Sequence, residues 1–132
     1  MLTVQQETEI YSWVGTPYRF RQRVKGQGID CLQFSFVLFE MLGIDYTSPK
    51  AYERSPKGDE FFEWLNTHTS LKRVNSAHPA VGTFVVIETL RDRPYHIIFS
   101  LNEQFYIHAN VGTGVVLLPK PTSMSIHSIW GK

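Results

Sequence analysis

The apolar positions of this chain change period once, near residue 70: upstream they recur at helical spacing, downstream they alternate in short runs divided by turn residues. Thr3 with Gln6 makes a capping-box pattern at the head of a first helix. Along it Val4, Ile10, Tyr11 and Val14 share one side with Glu7 as the polar exception, and Gly15 and Pro17 stop it. A second helix is predicted after Asp30, an N-cap residue type with Gln33 three positions on. It carries Leu32, Phe34, Phe36, Val37, Leu38, Phe39, Met41 and Leu42 before Gly43 ends it. Apolar residues on nearly every side make this the central, buried helix. Asp45 to Gly58, rich in Pro, Ser, Lys and Tyr, reads as loop, and Asp59 to Asn66 as a short helix that buries Phe61, Phe62 and Leu65.

Strands are predicted over Leu71 to Val74, Thr83 to Thr89, Tyr95 to Leu101, Gln104 to Asn110, Gly114 to Leu118 and Ser125 to Trp130. Helices first and strands second define an α+β domain, with the central helix packed on a C-terminal antiparallel sheet of about five to six strands. Gly112, Thr113 and Gly114 have the composition of a phosphate loop, but a strand follows them and not a helix. They are predicted to be a hairpin turn.

At 132 residues the chain reads as a single domain, 1–132, long enough to bury roughly two-thirds of its unfolded surface. Its one cysteine cannot form a disulfide within the chain. A formal net charge of +1 argues against nucleic acid as the main partner. No apolar run approaches the roughly 18 residues of a membrane span, and no basic segment followed by an apolar one opens the chain. The expectation is cytoplasmic synthesis without a signal peptide and without a membrane partner. Arg19, Arg21, Arg23 and Lys25 concentrate positive charge ahead of the cysteine, as a solvated loop or as an electropositive rim for an acidic substrate. Glu53, Asp59, Glu60 and Glu63 read as a solvated acidic face.

Cys31 stands where the central helix begins, and there unpaired backbone N–H groups and the helix dipole favour a thiolate. The alternative is a small buried hydrophobe. A cysteine nucleophile needs a base, and the base needs a third group to orient it. Of the five histidines, His68, His78 and His127 sit in loop or edge surroundings, whereas His96 and His108 fall in neighbouring strands of one hairpin. A three-residue loop at Leu101 to Glu103 sets them directly opposite each other on one face; a two-residue loop separates them. With an odd loop, His96, Ile98 and Ser100 share a face with Tyr106, His108 and Asn110, while Tyr95, Ile97, Phe99, Phe105 and Ile107 cover the other. Cys31 with two histidines also has the composition of an open zinc site, but close-spaced ligand pairs are missing. The reading proceeds without metal or cofactor.

Gly15, Thr16, Pro17 and Tyr18; Gly28, Ile29, Asp30 and Cys31 with Phe34; Pro79, Gly82, Thr83 and Phe84; His96; and Ile107, His108 and Ala109 occur in an order and spacing that resembles the NlpC-type cell-wall cysteine peptidases, small papain-like enzymes of bacteria and their phages. The resemblance runs from Trp13 to about Val116. It implies a papain-like domain in which Cys31 is the nucleophile, His96 the base and His108 the residue that orients it, with Tyr18 beside the thiol and Tyr18 and Asp30 on the substrate side. It further implies hydrolysis of an amide in peptidoglycan stem peptides of the D-γ-glutamyl-diaminopimelate type. Leu32 and Gln33 replace the family's usual Ser-Gly, and Ile98 replaces a small residue, which shifts the expected specificity. Delivery as part of a phage tail, or by a secretion machine, is the expected route to the wall. The alternatives are a catalytically silent binding or assembly module and a cytoplasmic amidase acting on soluble γ-glutamyl peptides.

Overall fold

The computed structural model describes residues 2–47, 59–88, 94–121 and 124–132. Helix α1 (Val4–Tyr11) starts at the predicted capping box, with Thr3 Oγ1 accepting the Gln6 N–H at 3.0 Å and Gln6 Oε1 accepting the Thr3 N–H at 2.9 Å. Its buried side is narrower than the spacing suggests. Ile10 is buried, while Val4, Tyr11 and Val14 are exposed; the helix is too short to lay a full stripe on the core, and Trp13, just beyond it, takes over the contact. A hairpin of β1 (Arg23–Val24) and β2 (Gly28–Ile29) follows. Nothing in the apolar pattern announces it, because strands of two residues cannot display a period.

Helix α2 (Cys31–Leu42) begins and ends as predicted. The Asp30 carboxylate accepts the Gln33 N–H at 2.7 Å, and Gly43 closes the helix in the left-handed region at φ 70°. Eight of its residues are buried, from Cys31 to Phe39 with Gln33 as the break. Beyond it, the loop expected at positions 48–58 lies outside the described residues, as do Glu53 and Thr89. Helix α3 (Asp59–His68) runs two residues past the predicted Asn66 and buries Leu65, whereas the side chains of Phe61 and Phe62 lie outside the described set.

Six strands follow, β3 (Lys72–Val74), β4 (Phe84–Glu88), β5 (Pro94–Ser100), β6 (Phe105–Asn110), β7 (Gly114–Pro119) and β8 (Ile126–Gly131), in the spatial order β3-β8-β4-β5-β6-β7. Every neighbouring pair is antiparallel. The predicted α+β architecture is the observed one, with the last strand inserted between β3 and β4. No described helix is long and apolar enough to cross a membrane.

One sheet face packs on the helices through Phe84, Val86, Ile97, Phe99, Ile107 and Ala109, in the same cluster as the buried face of α2. Phe39 stands at the centre of this cluster, its ring 4.9 Å from Phe84 and 5.6 Å from Trp64. The opposite face has a smaller cluster in which Val85, Ile98 and Tyr106 meet Ile87, Leu118, Met124 and Ile126. Strand alternation therefore buries both sides of β4 to β6. Because Phe39 is 0% exposed, Phe39→Ala should lose about 3–5 kcal/mol in denaturant unfolding. Val4→Ala, at a position 85% exposed on α1, should stay within about 0.5 kcal/mol of the parent.

Candidate active site

The loop that leads to Cys31 is sewn onto the edge of the sheet. Gly15 N–H donates to Val115 O and Val115 N–H to Thr16 O, both at 2.9 Å. This close approach needs Gly114, where φ is +75° and a Cβ would collide with the Thr16 carbonyl. From there Ile29 N–H donates to Pro17 O and Arg19 N–H to Ile29 O, each at 3.0 Å, which lays Tyr18 alongside Ile29. Cys31 follows two residues later, and Tyr18 Oη donates to its Sγ at 3.7 Å.

Cys31 is the first residue of α2 and only 7% exposed. Burial pushes its thiol up to about 11, and the Asp30 carboxylate adds to the rise, against the lowering effect of the Tyr18 hydroxyl and the local backbone N–H groups. The thiolate expected from the helix terminus alone is thus outweighed in this conformation. Desolvation of a charged sulfur costs more than the half-charge of a helix end returns. Asp30 itself is 1% exposed, with Oδ1 accepting Gln33 N–H at 2.7 Å and Oδ2 accepting Arg21 N–H at 2.8 Å. Arg21 stands in the left-handed region at φ 64°, a conformation its residue type did not signal.

His96 and His108 meet on one sheet face. The β5–β6 ladder pairs Phe99 with Ile107 and Ser100 with Tyr106, and Leu101 N–H donates to Phe105 O at 3.1 Å. The connecting loop is therefore odd, as the site requires, but it is Asn102 to Gln104 and not Leu101 to Glu103. Asn102 builds it by accepting the Gln104 and Phe105 N–H groups on Oδ1 at 2.9 and 2.8 Å. The ladder reaches only to the Phe99–Ile107 pair, so His96 and His108 lie beyond its paired residues and are not a directly opposed pair within it. Their rings close the gap: His96 Nε2 lies 2.6 Å from His108 Nδ1, with centroids 4.9 Å apart and planes at 70°.

One hydrogen bond joins these two nitrogens, so one of them carries the proton and the other accepts it. Burial lowers both imidazoles, His96 to about 4 with the neighbouring His108 adding to the fall. The contact leaves Nδ1 of His96 for a second partner. In this conformation the structure brings together two pairs, Tyr18 with Cys31 and His96 with His108, and no hydrogen bond joins the sulfur to His96. Ile98, expected to narrow a cleft, is 1% exposed and belongs to the smaller cluster on the histidine face itself.

The basic stretch ahead of Cys31 is partly neutralised. Arg23 pairs with Glu40 at 2.8 Å and Lys25 with Glu9 at 3.0 Å, ties that fasten the β1–β2 hairpin to α2 and α1. Arg19 Nε donates to Gln27 O at 3.2 Å. Among the described residues, no three of His, Cys, Asp and Glu gather as metal ligands. A cleft of about 560 Å³ lies elsewhere, between β8 and the segment after β3, lined by Arg73, Ser76, Met124 and His127 among others.

Both titrations couple to folding. An unfolded histidine takes its proton near 6.5 and folded His96 near 4, so the unfolded chain holds the extra proton between those values and stability falls as pH drops through that window. The loss reaches about 3 kcal/mol. At the other end the unfolded thiol ionises from 9.0 and the folded one near 11, so stability falls as pH rises through that interval. Denaturant midpoints measured against pH should show His96→Gln flattening the acid limb and Cys31→Ala flattening the alkaline one. Limbs identical to the parent's in both variants would contradict the assignment.

No curated protein matches the chain. The family model described as NlpC/P60 family matches residues 9–131, a stretch that takes in Tyr18, Asp30, Cys31, His96 and His108 as well as α2 and the six-stranded sheet. With that match over nearly its whole length, and with the α+β architecture of a papain-like domain, the chain belongs to the NlpC/P60 family of cell-wall peptidases and amidases.

Proposed function

We propose that the protein is a cysteine hydrolase that cleaves an amide of peptidoglycan stem peptides, of the D-γ-glutamyl-diaminopimelate type, with Cys31 as nucleophile, His96 as base and then acid, and His108 as its orienting partner. The observation that carries this reading is the 2.6 Å contact between His96 Nε2 and His108 Nδ1. A base whose far nitrogen is pinned keeps one tautomer and one ring orientation, which is what a thiol nucleophile requires of it.

In the proposed cycle His96 Nδ1 takes the Sγ proton as sulfur bonds to the amide carbonyl carbon. The oxyanion is met by backbone N–H groups at the start of α2, which lack acceptors within the helix. Collapse expels the amine, which receives the proton from His96, and leaves a thioester on Cys31. Water then attacks the thioester while His96 accepts its proton; the acid product departs and the proton returns to sulfur. Tyr18 holds the thiol in place through its hydroxyl.

The resting electrostatics set a demand on this cycle. With the thiol near 11 and the imidazole near 4, sulfur-to-nitrogen proton transfer is uphill by roughly 10 kcal/mol. A turnover of about 10 per second allows a barrier of about 16 kcal/mol, which leaves about 6 kcal/mol for the attack itself unless substrate binding narrows the gap. The same observation favours the second reading, a silent binding or assembly module, in which the gap never narrows. An amidase of soluble γ-glutamyl peptides uses the same residues and differs only in substrate.

Purified muropeptides incubated with the protein and followed by mass spectrometry test the proposal. The parent should split them with uptake of one water, and Cys31→Ala should not; cleavage that persists in Cys31→Ala refutes it. His108→Ala should lower kcat by about 10²- to 10⁴-fold. It should also move the acid limb of kcat/KM to higher pH, because the charge of His108 no longer depresses His96. A thiol that resists iodoacetamide below pH 9, in a protein that leaves every muropeptide intact, favours the silent module.

A further inference from the structure

The cations best placed in the sequence to meet an acidic substrate include two that are already paired, Arg23 and Lys25. Lys120 has no such partner. Its Nζ donates to Ser100 Oγ at 2.7 Å and sits 5.0 Å from the Tyr106 ring centroid. Among the described residues no carboxylate lies within ion-pair distance of it, and Glu103 acts on it only at longer range. An ammonium has three donors, so two remain without a described acceptor. Burial holds its pKa below the ordinary lysine value, against the opposing pull of the more distant Glu103 carboxylate.

The position of this lysine relative to the histidines follows from register. β6 and β7 pair His108 with Val116 and Tyr106 with Leu118, and Lys120 N–H continues the ladder by donating to Gln104 O at 2.9 Å. Alternation puts Val116, Leu118 and Lys120 on the face that carries His96, His108, Ser100 and Tyr106. His108, Val116, Leu118 and Lys120 are all half-buried, so a partly open apolar strip leads from the histidine pair to the ammonium. Four residues of strand span about 13 Å, and the side chain leans back over Tyr106, which shortens the gap. Ser100, 0% exposed and on the same face, fixes the end of the strip by accepting from the ammonium.

We infer that Lys120, held by Ser100 and Tyr106, recognises a free carboxylate of the peptide whose amide is cleaved at Cys31 and His96. The inference rests on the hydrolase reading above and narrows its substrate class: an anionic peptide with a carboxylate some two to four extended residues from the scissile bond, joined to it by a segment that can lie on Val116 and Leu118.

Binding measured without turnover separates this inference from the reading it rests on. The Cys31→Ala protein is titrated calorimetrically with L-alanyl-γ-D-glutamyl-diaminopimelate and with the same tripeptide amidated at each carboxylate in turn. One amidation should weaken binding by about tenfold to a hundredfold, the worth of a charge-assisted hydrogen bond. Lys120→Gln on that background should erase the difference between acid and amide, and Lys120→Arg should keep it. Equal affinity for acid and amides, including no measurable binding of any, overturns the inference, as does a preference that survives in Lys120→Gln. Failure of the parent to hydrolyse muropeptides would count against the hydrolase reading and leave the titration result standing.

Discussion

Asp30 holds one backbone N–H on each side of Cys31, Arg21 from the preceding loop and Gln33 from the first turn of α2, and the position of Cys31 follows from those two bonds. A carboxylate with 1% exposure is costly to bury unless its oxygens are occupied, and here each accepts an amide. The bond to Gln33 starts the helix at residue 31. The bond to Arg21 holds a non-glycine residue at φ 64° and so stores strain beside the site. The same negative charge opposes ionisation of the neighbouring thiol. Placement and reactivity of the sulfur thus pull on one residue in opposite directions.

The histidine side of the site depends on a different constraint, the parity of a turn. Strand side chains alternate, so a loop one residue longer or shorter between β5 and β6 would turn His96 away from His108. Asn102 sets the count by accepting two successive N–H groups, which makes a three-residue loop with a side chain standing in for backbone. The two histidines lie beyond the last paired residues of the β5–β6 ladder and are joined through their rings, His96 Nε2 to His108 Nδ1 at 2.6 Å. Ile98 and Tyr106, alternating with the core residues, share the histidines' face and pack there with Ile87, Leu118, Met124 and Ile126.

Much of this could be read from residue order. The switch of period after residue 70, the Asp30 and Gln33 cap, and Gly43 at the helix end located α2 and six strands within a residue or two, because each is a local rule of backbone chemistry. The capping box of α1 was equally local, yet Val4 and Tyr11 proved exposed; burial depends on what packs against a helix, which spacing does not contain. The β1–β2 hairpin, fastened by Arg23 to Glu40 and Lys25 to Glu9, left no trace in periodicity. For the site, the two histidines were legible as a pair, but the place of the turn between their strands was not, since it rests on Asn102 accepting two successive N–H groups. The direction of the Cys31 shift was also illegible. A helix start is visible in sequence, while the desolvation that outweighs it is a property of everything packed around the sulfur.

Charge recognition has shifted in the same way from where the sequence concentrates it. On the helix side of the nucleophile the position after Cys31 carries Leu32, which is 1% exposed and offers no polar group, and the carboxylate before it is spent on two backbone amides. Arg23 and Lys25 hold the hairpin and so are engaged before any ligand arrives. What is left on the histidine face is an ammonium fixed by a buried hydroxyl and an aromatic ring, at the end of a strip of half-buried aliphatic residues. A desolvated cation with a neutral partner gains more from an incoming carboxylate than a solvated, already paired one, because part of its hydration has been given up in advance. Selectivity in this chain is therefore expected to follow the β7 side of the proposed site, where the cation has no ion-pair partner among the described residues, and not the basic loop that precedes Cys31.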